Sequence, residues 1–142
     1  MAIVLKRKAE TNLSVEQEHY SDFFTNLSVH PTKNDLYREI NEEAVKSSIR
    51  NLLLTNRGER IYNSSLGSDI RTILFENFST ATESVLSDLV RNTISNFEPR
   101  ANVLQVYVNS EIDEHSIFIT IVFNIINREE PITLELILNR IR

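Results

Sequence analysis

The chain has 142 residues, 41% of them apolar and 25% charged, which suits one ordinary buried core and argues against a disordered polymer. Its 15 Lys and Arg against 20 Asp and Glu give a formal charge of −5, a poor balance for sequence-independent nucleic-acid binding, where basic side chains supply most of the affinity. The lack of Cys excludes disulfides and thiolate chemistry, two Gly cannot form a glycine-rich phosphate loop, and no apolar run reaches the roughly 18 residues of a membrane span.

Residues 1–19 are polar and mixed in charge around one apolar run at 2–5, and read as a flexible or partner-dependent arm. They hold no signal-peptide core, and the Cys-free composition suits a reducing cytoplasm. Residues 20–142 read as a single domain. The segment 20–29, with Tyr20, Phe23, Phe24, Leu27 and Val29, is extended and stops at Pro31. A turn at 32–35 returns through Leu36, Tyr37 and Ile40 as the second limb of a hairpin.

Asn41 is placed to cap a first helix, with Glu42 and Glu43 at its positive end. Val45, Ile49, Leu52 and Leu53 share one face of that helix, which should stop near Thr55. Residues 59–65 read as an irregular or extended link, and the tight charged turn Arg57-Gly58-Glu59-Arg60 reads as a solvated loop. Ser68 is placed to cap a short second helix over 69–76 that buries Ile70, Ile73 and Leu74. Thr80-Ala81-Thr82-Glu83 has the spacing of a capping box and opens a third helix, with Leu86, Leu89, Val90, Ile94 and Phe97 at helical intervals. Pro99 ends it and pushes Glu98 toward extended geometry.

After Arg100 the apolar period drops to two. Leu104, Val106 and Val108 form one stripe, and Ile117, Ile119, Ile121, Phe123 and Ile125 a second. Ile132, Leu134, Leu136 and Leu138 form the third, with turns at 109–115 and 127–131. The pattern predicts an α+β fold: three amphipathic helices packed on a mainly antiparallel sheet whose main part is a C-terminal three-stranded meander. The last strand is an unbroken edge on which another chain could add a strand.

Chemistry-bearing residues are sparse. His19, His30 and His115 lie in three separate polar segments without metal-ligand spacing, and read as loop histidines. Carboxylates such as Glu76 and Asp88 could be imagined as a glycosidase pair, yet no pattern gives either the apolar enclosure that a general acid needs. The more unusual feature is Glu98-Pro99-Arg100, two opposite charges around a rigid residue at a helix exit. It reads either as a helix stop, with Arg100 favourable beside the negative helix end, or as a preorganised polar knob addressed to a partner.

Four strings occur in order: Thr55-Asn56-Arg57-Gly58-Glu59-Arg60, Gly67-Ser68-Asp69, Leu74-Phe75-Glu76-Asn77 and Asn96-Phe97-Glu98-Pro99-Arg100. Together they resemble the baseplate wedge protein 25 family of contractile phage tails, which has relatives in type VI secretion baseplates. The resemblance runs from about Tyr20 to Arg142 and leaves residues 1–19 outside. It implies a structural subunit rather than an enzyme, without cofactor, nucleic acid or membrane, in the tail baseplate of a virion assembled in the host cytoplasm. It further implies that Glu98, Pro99 and Arg100 dock on the helical core bundle of the larger wedge proteins. The strands at 103–108, 116–126 and 132–141 become a platform for tail sheath subunits, with Ile132, Leu134, Leu136 and Leu138 marking the candidate strand to be shared. Tail tube or hub proteins are further neighbours. Arg100→Ala is expected to leave the domain folded and block wedge incorporation. Because the family also carries a lysozyme-like label, a peptidoglycan-cleaving glycoside hydrolase is the alternative, and a regulatory binding module on the same fold is a third class.

Overall fold

Strict alternation of apolar residues across Ser116–Ile125 makes this segment a strand with one face wholly buried, formed by Ile117, Ile119, Ile121, Phe123 and Ile125. The computed structural model describes residues 20–75, 79–111, 116–126 and 128–139. Its elements are β1 (Ser21–Phe23), β2 (Arg38–Ile40), α1 (Asn41–Leu54), α2 (Ile70–Leu74), α3 (Thr80–Phe97), β3 (Ala101–Glu111), β4 (Ser116–Ile125) and β5 (Ile132–Asn139). β4 is the middle strand of an antiparallel β3-β4-β5 meander. β1 and β2 pair antiparallel as a separate two-stranded ribbon, continued by a bridge between Val29 and Leu36. The α+β architecture is therefore as the pattern predicts, except that the hairpin has its own sheet.

The helices cover one face of the meander. α3 lies on β3, α1 packs beside α3 and reaches β5, and α2 fits against α3. Val45, Ile49 and Leu53 of α1, Ile70 and Leu74 of α2, and Leu86, Val90 and Ile94 of α3 meet the β4 stripe in one core. Each such side chain contributes roughly 1.5–3 kcal/mol on burial.

The helix starts depart from expectation in instructive ways. Asn41 does not cap α1: it sits inside the first turn at φ 49°, and its own N–H donates to Tyr20 O at 2.8 Å. Its Oδ1 in turn accepts from Tyr20 N–H at 3.4 Å, so the residue ties the hairpin to the helix. Ser68 does not cap α2 either. It is buried, its hydroxyl donates to Leu53 O at 2.6 Å, and Asp69 takes the N-cap position. α3 is capped by Ser79, one residue before the expected site, whose Oγ accepts from Thr82 N–H at 3.3 Å.

β3 carries a bulge. The register shifts between Val103 and Gln105, which leaves Leu104 as an extra residue, 48% exposed. Ala101 and Val103 therefore face the core before the bulge, and Val106 and Val108 after it. The expected stripe of Leu104, Val106 and Val108 is wrong at its first member. The proposed arm at 1–19, Glu76, His115 and the end of the expected last strand at 140–141 lie outside the described residues.

Candidate docking site at the end of α3

Pro99 has no N–H to continue a helix, and the chain leaves α3 through Glu98 at φ −125° and ψ 76°. Glu98 N–H still donates to Ile94 O at 2.8 Å, while Glu98 O accepts from Ala101 N–H at 3.1 Å. Arg100 O accepts from Ile126 N–H at 3.1 Å, so the tripeptide is fastened to the helix end on one side and to the end of β4 on the other.

The side chains take unequal positions. Glu98 is only 3% exposed, whereas Pro99 is at the surface and Arg100 half-buried. The Glu98 carboxylate accepts Arg100 Nε–H at 2.5 Å and Nη2–H at 2.7 Å, a two-pronged fork, and also the Ser48 hydroxyl from α1. The Arg100 guanidinium lies 5.5 Å from the centre of the Tyr20 ring, in cation–π reach. Burial alone pushes the Glu98 carboxyl up, but the bonds from Arg100 and Ser48 and the Arg100 charge outweigh it and hold the group below the usual carboxylate range. The Arg100 pKa is raised chiefly by its bond to Glu98.

A knob with two outward charges is thus not what the fold makes. Glu98 turns inward as an anchor, and Pro99 with the outer rim of the guanidinium forms the surface. The fork uses two of the five guanidinium N–H donors, which leaves the outer edge for another acceptor. Ser48 and Tyr20, which complete the cluster, were not legible in the sequence, since no spacing rule links residues 50 positions apart.

The sheath-strand candidates stand elsewhere. Ile132, Leu134 and Leu136 are buried and Leu138 packs against the same core, so their side chains face inward. What β5 offers outward is the main-chain edge of the sheet, flanked by exposed Thr133, Glu135 and Ile137. The other edge strand, β3, is interrupted by its bulge. Of the remaining candidates, His30 stacks on Tyr37 with ring centres 5.9 Å apart, and Asp88 is exposed on α3. Among the described residues no His, Asp and Glu side chains cluster as metal ligands, and no helix is long and apolar enough to cross a membrane.

Residues 40–130, which contain the whole Glu98-Pro99-Arg100 cluster except Tyr20, match the family described as baseplate wedge protein gp25. The chain belongs to this family. It is similar to baseplate wedge protein gp25 of Enterobacteria phage T4, with 26% identity over 113 residues, 80% of this chain and 85% of that one. A crystal structure from Geobacter sulfurreducens, provisionally described as a tail lysozyme, aligns with a TM-score of 0.67 at 26% identity, over 71% of this chain and 92% of that one. A chain of the anti-feeding prophage baseplate shares the fold, with a TM-score of 0.61 at 20% identity over 83% of each chain. As a family member, this chain is a baseplate wedge component.

Proposed function

We propose that this chain is a non-catalytic wedge subunit that docks on the helical core bundle of the larger wedge proteins through Arg100 and Pro99, and starts the tail sheath by offering the β5 edge. The observation that carries the docking reading is the forked Glu98–Arg100 pair, which fixes a guanidinium at the surface before any partner arrives. A group held in its bound geometry loses little freedom on binding, and its unused N–H donors suit carboxylates or the free carbonyls at a helix end. Support for the sheath role is the unbroken β5 edge, where strand addition gives affinity through main-chain bonds, while side chains 132, 134 and 136 stay in the core. Repetition around a baseplate then multiplies individually modest contacts.

The description of the Geobacter relative keeps a peptidoglycan-cleaving activity as the second reading. Glu98 is the most deeply buried carboxylate among the described residues, and its pKa is held down rather than raised, the opposite of what a general acid requires. No clearing of a peptidoglycan gel is expected.

The test is co-purification of the natural chain and of the Glu98→Ala/Arg100→Ala variant with the wedge and sheath proteins, with circular dichroism on both. A folded variant that stays out of the wedge supports docking at this cluster. Equal incorporation of both chains sinks the assignment.

A further inference from the structure

The helices cover one face of the β3-β4-β5 meander, and the other face stands open. The register places Phe118 beside Ile137, Thr120 between Tyr107 and Glu135, and Val122 in the next row, all on that open face. An antiparallel face that meets only water carries polar residues opposite the buried stripe. Here Tyr107 and Ile137 are large and exposed, at 48% and 62%, with Phe118 and Val122 half-buried on the middle strand. The strands leave a hollow of about 470 Å³ against Phe118, Thr120, Glu135 and Ile137. An apolar patch with polar residues at its rim marks a contact surface.

Its charge is of one sign. β3, β4 and β5 contain no Lys or Arg, and Glu135 enters no ion pair among the described residues. An occupant that matches this face has an apolar stretch followed by positive charge. The segment Ala2-Ile3-Val4-Leu5-Lys6-Arg7-Lys8 has that order, and its last three residues are the only three consecutive basic residues in the sequence. Reach is sufficient. The Tyr20 ring lies against Arg100, which directly precedes β3, so the chain before Tyr20 leaves from the end of the sheet where β3 starts. From Ala101 the hollow at Asn109 is eight residues along β3, about 26 Å. The 15 residues from Leu5 to Tyr20 span up to about 50 Å.

We propose that residues 2–8 bind the open face of their own chain's meander, with 2–5 in the hollow and Lys6, Arg7 and Lys8 toward Glu135. This surface is the face of the sheet, neither the β5 edge nor the Arg100 cluster, so it stands apart from the docking and sheath readings above. The tether holds the segment beside the face at an effective concentration of the order of millimolar, so a modest contact closes within one chain. Opposite charges then fix which end of the segment lies toward β5.

The test is disulfide trapping in the full chain, which has no Cys of its own. Val4→Cys/Ile137→Cys should form a bond within one chain in a glutathione redox buffer, read by the mass of the linked peptides. Val4→Cys/Tyr62→Cys, with its second thiol at a still more exposed position away from the sheet, should stay reduced. Adding Lys6→Glu/Arg7→Glu/Lys8→Glu should slow trapping at Ile137 at least tenfold, and a further Glu135→Lys should restore it. Ile137, Glu135 and Tyr62 are exposed, so these changes leave the core intact. Equal trapping at Ile137 and Tyr62, or none at Ile137, overturns the contact. A bond between two chains makes a second copy the occupant and overturns the assignment to the chain's own arm. Trapping that ignores the charge reversal overturns the match with Glu135.

Discussion

Glu98 is a carboxylate kept charged inside the fold, and that choice organises its neighbours. Removing a carboxylate from water is costly unless donors replace the water, and here Arg100 and Ser48 do so. Arg100→Ala therefore does more than erase a surface charge: it leaves the buried carboxylate with Ser48 alone. The cost is about 2–3 kcal/mol, at the low end for a buried pair because the Arg100 side chain is 30% exposed. For that reason the double variant, which removes both charges, is the cleaner docking test. The depressed Glu98 pKa also gives a pH signature. Its stabilising contribution is fully present above the unfolded carboxyl value, roughly 4.3, and is lost as pH falls through the lower folded value. In urea titrations the stability gap between the natural chain and Glu98→Gln should be widest near about pH 6 and narrow toward about pH 3. A constant gap would show that the carboxylate charge contributes nothing.

At the scale of elements, the periodicity that places the helices is indifferent to where each one starts. Leu86, Val90 and Ile94 face the core whether the cap is Ser79 or Thr80, because one residue at the end does not alter the spacing within. Both residues are good caps by composition, so the choice fell to local geometry. Ser79→Ala is expected to cost about 1 kcal/mol in thermal unfolding and Thr80→Ala only a few tenths. The bulge in β3 is harder to read. Ala101, Val103, Val106 and Val108 are all apolar in the sequence, but the exposed Leu104 completes a regular alternation with 106 and 108 and hides the change of parity. β4 and β5 were legible throughout, since β-branched and leucine side chains alternate there without interruption.

For the whole molecule, one core joins all three helices to the meander, while the β1–β2 ribbon stands outside it with largely exposed strands. Tyr20, Asn41 and Arg100 help link it to the rest. Native-state hydrogen exchange should find the slowest amides in β4 and α3, and exchange in the ribbon at least tenfold faster. Equal protection would mean that the ribbon is part of the cooperative core.

The sequence by itself determined the α+β class, the order of the elements, the three-stranded meander and the family, because periodicity and short motifs are local properties. It also drew attention to Glu98-Pro99-Arg100. Only the tertiary structure decided that Glu98 faces inward and Arg100 outward, and that Ser48 and Tyr20 complete the cluster. Those facts depend on how distant segments pack, and the direction of a charged side chain follows from which donors the fold brings within about 3 Å of it.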